Sequence, residues 1–151
     1  MKKIFKNVFY LFFPLIIGGI VALLISGNID YNILEKPPLA PPKILFPIAW
    51  SIIYLLMGIS YFLIKRNNDD TKQINDIYYI QLFVNALWSI IFFIFKWRFV
   101  SILWIILLDI FVIYMVYLFS KKNKISAYLN IPYVIWILFA TYLTIGIYIL
   151  N

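Results

Sequence analysis

Apolar and charged residues alternate along this chain in long blocks. The apolar runs are each about 19–22 residues long, and short segments rich in Lys, Arg, Asp and Asn separate them. A helix of about 20 apolar residues crosses a hydrocarbon core about 30 Å thick. The pattern therefore predicts an all-α membrane protein, a bundle of five transmembrane helices. The predicted helices cover about residues 5–26, 46–64, 77–95, 99–119 and 129–150.

The connector between the first two predicted helices differs from the others. It covers residues 27–45, is the longest connector, and carries prolines at positions 37, 38, 41 and 42. Proline fixes φ and forces the preceding residue into extended backbone, so this segment is stiff. Long connectors in compact proteins are often functional. We predict a proline-rich lid loop over one end of a single transmembrane domain, residues 1–151.

Composition narrows the classes of function. The chain is 65% hydrophobic and contains no Cys and no His. This excludes disulfides, thiolate nucleophiles, zinc finger sites and His-dependent triads. The sequence also has no glycine-rich phosphate loop and no nucleophile–base set, so a hydrolytic or phosphoryl-transfer enzyme is not predicted. We expect no cofactor and no metal.

Charge predicts the orientation in the membrane. Nine of the 13 Lys and Arg residues fall at the amino terminus and in the second and fourth connectors. The positive-inside rule places these segments in the cytoplasm and the lid and the carboxyl terminus on the opposite side. The net charge of +7 is then explained by connectors that face anionic lipid. No nucleic-acid partner is predicted.

Tryptophans occur on four of the predicted helices, at positions 50, 88, 104 and 136. Aromatic walls bind flat apolar ligands by stacking and by burial of area. Tryptophan also packs in cores and marks membrane interfaces. Trp50 is predicted near the outer end of its helix and Trp136 near the inner end of its helix. Periodicity alone therefore favours core packing over a shared ligand cavity.

Polar residues inside the predicted spans have two interpretations. Asp109 is the one acid in the middle of a span, and a charge there needs a partner or water. It could close a polar end of a pocket or relay a proton, but a packing role is favoured. Gln81, Asn85 and Ser89 share one helix face. They could join helices by hydrogen bonds or contact a ligand, and for Asn85 the two interpretations are nearly equal.

Small residues recur every four positions on the first helix, at Gly18, Ala22 and Ser26. Such a face lets another helix approach closely. The partner helix could belong to the same bundle or to a second copy of the chain, and packing inside the bundle is slightly favoured.

Several segments, in this order, resemble one known family. They are KPPLAPP, WSIIYLLMGISY, QLFVNALWSIIFF, the Asp in LLDI, and PYVIWILFATYL, and together they cover most of the chain. The chain resembles a bacterial-type member of the TspO/MBR family, the tryptophan-rich sensory proteins and translocator proteins, also called peripheral benzodiazepine receptors. The resemblance implies a five-helix bundle, commonly a homodimer, in the bacterial cell membrane. It also implies a cavity under the loop between helices 1 and 2.

The resemblance implies a membrane receptor or sensor for porphyrin-type tetrapyrroles and for other flat hydrophobic ligands, including isoquinoline and benzodiazepine types. Two alternatives stay open: a light- and oxygen-dependent porphyrin-degrading enzyme, with Trp50 and Trp136 as catalytic residues, and a tetrapyrrole or lipid transporter. The ligand-binding positions that the resemblance implies are Pro41, Pro42, Trp50, Tyr54, Asn85, Trp88, Asp109, Trp136, Phe139, Ala140 and Leu143. The chain departs from the family pattern at Leu39 and Ile44, where the lid often carries aromatic residues, and at Thr144, where Asn is frequent.

Overall fold

A computed structural model describes residues 1–151, and every regular element in it is helical. The elements are α1 (Lys2–Ile25), α2 (Leu45–Arg66), α3 (Lys72–Ser89), a π-helical turn (Ile90–Phe95), α4 (Arg98–Lys122), α5 (Lys124–Leu129) and α6 (Ile131–Leu150). The π turn continues α3, and α5 with α6 forms one span. The chain thus has five helices long and apolar enough to cross a membrane. The predicted fold class is confirmed.

The third span begins earlier than the apolar run indicated. Its first residue is Lys72. The predicted start was about residue 77, after the charged segment that precedes the apolar run. Thr71 has extended backbone, and its hydroxyl accepts a hydrogen bond of 3.2 Å from the Ile74 amide. This is the usual N-cap arrangement, which satisfies a free amide of the first turn. The helix therefore extends past the apolar segment into polar residues.

The last span also begins early, at Lys124, whereas the predicted start was about residue 129. The side chain of Asn123 caps it by accepting a hydrogen bond of 3.1 Å from the Ser126 amide. This shift matters for the site. Trp136 lies near the middle of the span Lys124–Leu150, and not near its inner end as predicted.

The α1–α2 pair packs around two glycines. A Cβ atom at Gly58 would lie 1.9 Å from the carbonyl oxygen of Leu11, and a Cβ atom at Gly18 would lie 2.4 Å from the ring of Tyr54. Small residues allow such close approach between membrane helices. Gly18 therefore packs inside the bundle, which is the interpretation that the sequence favoured for this face. The neighbouring Gly19 faces open space.

The two ends of the bundle are packed differently. Away from the lid, buried side chains of α2, α3, α4, α5 and α6 form one cluster of 17 residues. Beneath the lid, the buried cluster contains only 6 residues. Buried polar groups tie α2 to α5 at the tightly packed end, where the hydroxyls of Ser60 and Ser126 each donate to the carbonyl of the other residue. The space left open is at the lid end.

We expect Gly58→Ala to destabilise the protein, because the added methyl group forces α1 away from α2. Overpacking of this kind costs about 1–3 kcal/mol, which should lower the midpoint of thermal unfolding measured by circular dichroism in detergent. Gly19→Ala is the matched control, since no heavy atom lies within 4 Å of its new Cβ. Equal midpoints for the two variants would contradict the α1–α2 crossing described above.

Candidate ligand cavity

A cavity of about 480 Å³ lies beneath the lid, and 16 of its 21 lining residues are hydrophobic. Its walls come from α1, α2, α6 and the junction of α3 with the π turn, and its roof comes from the lid. The lining residues are Gly18, Val21, Ala22, Ile25, Ile29, Tyr31, Lys43, Ile44, Phe46, Pro47, Trp50, Tyr54, Trp88, Ser89, Phe92, Phe93, Trp136, Ala140, Leu143, Thr144 and Ile147. Its size is within the range of about 300–1,000 Å³ typical of small-molecule sites.

Three tryptophans from separate spans meet at this cavity. The rings of Trp50 and Trp136 are 6.3 Å apart and nearly perpendicular, at 89°. Trp88 lines another wall and stacks on Phe92 at 5.1 Å. The prediction that Trp50 and Trp136 lie at different depths was wrong, since their rings are within contact distance of each other.

Two of the cavity tryptophans have an unpaired indole N–H group. The Nε1 atoms of Trp88 and Trp136 are buried, and neither has a hydrogen-bond partner. By contrast, Trp104 lies outside the lining, and its Nε1 donates to the carbonyl of Val84 at 2.8 Å. A buried donor without an acceptor costs about 1–3 kcal/mol. Trp88 and Trp136 therefore contribute ring surface to the cavity, while their N–H groups lie buried within the protein.

A buried hydrogen-bond network closes the floor of the cavity. The Tyr54 hydroxyl donates to Asn85 Oδ1 at 2.7 Å, and Asn85 Nδ2 donates to the Tyr133 hydroxyl at 2.7 Å. The Tyr133 hydroxyl in turn donates to Gln81 Oε1 at 2.8 Å. Of these four residues only Tyr54 lines the cavity. Asn85 does not reach the cavity, and its hydrogen bonds join α2, α3 and α6. This agrees with the first of the two interpretations of its helix face, in which polar residues join helices.

The structure separates the site positions implied by the resemblance into two groups. Six of these positions line the cavity and five do not. Those that line it are Trp50, Tyr54, Trp88, Trp136, Ala140 and Leu143, and those that do not are Pro41, Pro42, Asn85, Asp109 and Phe139.

The positions outside the lining have other contacts. The carboxylate of Asp109 accepts a hydrogen bond of 2.7 Å from Thr141, between α4 and α6. Phe139 lies instead on an outer groove between α2 and α6, and Trp136 lines both this groove and the cavity. No group of three or more acidic side chains forms a metal site.

An ion pair fastens the lid to the start of α4. Arg98 Nη2 lies 2.5 Å from Asp30 Oδ2, and both side chains are largely buried. The guanidinium also lies 4.1 Å above the ring of Phe92, which lines the cavity. Lys96, with a left-handed φ of 56°, approaches the same carboxylate oxygen at 3.8 Å. A pair shielded from water in this way is stronger than an exposed one.

The lid is also fastened to α6. The Tyr142 hydroxyl donates to the Pro38 carbonyl at 2.6 Å. One helical turn further along, Pro37 lies so close to Gly146 that a Cβ atom there would be 2.5 Å from the proline ring. Pro37 and Pro38 therefore hold the lid against α6, and neither of them lines the cavity.

Tyr31 is the lid's aromatic contribution to the cavity, which sequence reasoning missed. Its ring packs edge-on against Phe46 at 5.0 Å, and its hydroxyl donates to the Pro41 carbonyl at 2.7 Å. Burial raises the pKa of this hydroxyl above its usual value. Leu39 is 86% exposed and points away. Tyr31 is the one aromatic residue of the lid, so an aromatic contact from the lid to the cavity could have been predicted at this position.

Comparison with known proteins agrees with this architecture. The sequence model of the TspO/MBR family matches residues 10–150. The chain belongs to the TspO/MBR family. It is 39% identical over 124 residues to the tryptophan-rich protein TspO of Archaeoglobus fulgidus, covering 80% of this chain and 79% of that protein. The TspO/MBR relatives also include protein CrtK of Rhodobacter capsulatus, 32% identical over 137 residues, which cover 89% of this chain and 86% of that one.

Another TspO/MBR relative matches this chain from end to end. The tryptophan-rich protein TspO of Bacillus cereus is 30% identical over 152 residues, covering 100% of this chain and 99% of that protein. The described cavity and lid therefore lie within the part of the chain that the TspO/MBR relatives share.

We expect Tyr133→Phe to lower stability, because it leaves the Asn85 amide and the Gln81 carbonyl oxygen without their partner. The cost of leaving buried polar groups unsatisfied is about 1–3 kcal/mol. The measurement is the midpoint of thermal unfolding in detergent. Tyr128→Phe is the control, since Tyr128 is 68% exposed. If both variants unfold at the same temperature, the network does not stabilise the bundle.

Proposed function

We propose that this protein is a membrane receptor or sensor that binds porphyrin-like tetrapyrroles and other flat hydrophobic ligands in the tryptophan-lined cavity. The observation that carries the proposal is the perpendicular pair Trp50 and Trp136, 6.3 Å apart on the wall of an apolar cavity. Isoquinoline and benzodiazepine compounds are smaller, largely aromatic ligands, which we include by family relationship. The family relationship supports this class of ligand.

The geometry suits a planar molecule. When two aromatic rings stand at right angles, one can stack on the face of a flat ligand while the other contacts its edge. Burial of apolar area stabilises such a complex by about 25 cal/mol per Å². Trp88 and Phe92 add a second aromatic surface on the side of α3.

A sensor role is also supported by relatives. One relative, from Cereibacter sphaeroides, carries the name tryptophan-rich sensory protein and is 30% identical over 111 residues.

We place this chain in the bacterial cell membrane as a homodimer, by family relationship. Nine basic residues lie in the first turns of α1, at the end of α2 and start of α3, and at the end of α4 and start of α5. They favour a cytoplasmic amino terminus with the lid outside.

A second candidate function uses the same cavity for photo-oxidation of the porphyrin. It is favoured by the three indoles that line the cavity wall. One electron that passes from an indole to the light-excited porphyrin leaves a tryptophan radical cation and reduces the porphyrin by one electron. Dioxygen is the oxidant that this candidate requires.

A transporter is not favoured, because the lid is fastened to α4 and α6 and the opposite end of the bundle is closed by the buried core.

We expect Trp136→Ala to weaken binding of protoporphyrin by about thirtyfold or more, because a tryptophan that is central to a binding surface commonly contributes about 2 kcal/mol or more. Affinity is measured from the absorbance change of the porphyrin, since removal of a tryptophan alters protein fluorescence. Trp136→Phe should lose less. Trp97→Ala, at a position 57% exposed and outside the lining, is the control. Unchanged affinity in folded Trp136→Ala would contradict the proposed site.

The photo-oxidative candidate has a separate test. Under illumination with oxygen, bound protoporphyrin should lose absorbance faster than the same amount of free protoporphyrin in the same detergent. Removal of oxygen should stop the difference, and a Trp50→Phe, Trp136→Phe double variant should reduce it. If free and bound porphyrin give one product at one rate, the enzyme candidate is wrong while the receptor proposal is unaffected.

A further inference from the structure

The cavity carries one charged residue, Lys43, and no acid among its lining residues. Lys43 lies at the end of the lid, immediately before the N-cap of α2 at Ile44. Its side chain is exposed, so it stands at the mouth of the cavity and not in its interior. The single charge at the mouth is therefore positive.

Lys43 differs from the other cations of the lid region in having no partner. Lys36 donates to the carbonyls of Tyr31 and Leu34, and the two basic residues at the start of α4 approach Asp30. The four ion pairs of the protein do not include Lys43. Its ammonium group is therefore available to an outside anion without loss of an internal contact.

The interior of the cavity is largely apolar and carries no negative charge. The hydroxyls of Tyr54 and Thr144 are already used as donors, to Asn85 Oδ1 and to the Ala140 carbonyl. The lining contains no Asp, Glu, Asn or Gln. The cavity thus complements a ligand with an apolar body and an anionic group at the mouth.

We propose that Lys43 is a specificity-determining residue, which selects flat apolar ligands that carry a carboxylate at one edge over neutral ligands of the same shape. This inference rests on the proposed function and adds to it the charge of the ligand. A lysine has a flexible four-carbon stem, so its ammonium group can reach a carboxylate that projects from the mouth. A charge at the rim also speeds the approach of an opposite charge.

The inference is tested with two ligands of one shape, protoporphyrin and its dimethyl ester, on the full chain in a neutral detergent. Lys43→Met should weaken binding of the diacid about twofold to fivefold, the upper part of the range for an exposed charge pair, and leave the affinity for the ester unchanged. Lys43→Arg should keep the preference. Lys3→Met, an exposed lysine at the other end of the bundle, is the control for net charge and should change neither affinity. Raised salt should reduce the preference of the parent protein for the diacid.

Each other outcome overturns the inference in a distinguishable way. If Lys43→Met leaves the diacid affinity unchanged while both ligands still bind, Lys43 does not select charge and the receptor proposal stands. An equal loss for diacid and ester would show that Lys43 shapes the lid. If phosphatidylglycerol displaces the diacid better than phosphatidylcholine, and only when Lys43 is present, the mouth takes a lipid headgroup instead. If neither ligand binds the parent protein, the proposed function itself fails.

Discussion

The hydrogen bonds among Tyr54, Asn85, Tyr133 and Gln81 divide the bundle into a closed half and an open half. Inside a membrane, a buried amide or hydroxyl without a partner is costly, so such a network fixes the relative positions of its helices. On one side of it the side chains pack continuously. On the other side Tyr54 forms the floor of the cavity. The volume beneath the lid exists because the network holds α2, α3 and α6 at this separation.

The lid keeps that volume from collapsing. It is joined at one side to the buried Arg98 of α4 through Asp30 and at the other to Tyr142 of α6 through Pro38, and Pro37 and Pro38 restrict its backbone beside the second contact. Close packing of Pro37 on Gly146 leaves little room for sliding. A stiff roof and a hydrogen-bonded floor together make a largely pre-formed site, which lowers the ordering cost of binding.

Hydropathy was enough to predict five spans, because membrane thickness fixes the length of each apolar run. It could not predict where the spans begin, because Thr71 and Asn123 cap helices that extend into polar sequence. Periodicity alone therefore disfavoured a shared cavity for Trp50 and Trp136, whereas the resemblance placed both at the ligand. The resemblance placed Asn85 and Asp109 at the ligand, whereas the structure places them in hydrogen bonds between helices. Which face of a helix meets a cavity depends on packing, and a single sequence does not specify it.

The central claim is that tryptophans from separate spans hold a flat ligand beneath the lid. A crystal structure of the protein with protoporphyrin tests it most directly. The account requires the macrocycle inside the cavity, within about 4 Å of the indoles of Trp50 and Trp136, with its carboxylates towards Lys43. Porphyrin found instead in the outer groove between α2 and α6, beside Ile135 and Phe139, with none in the cavity, would contradict the claim.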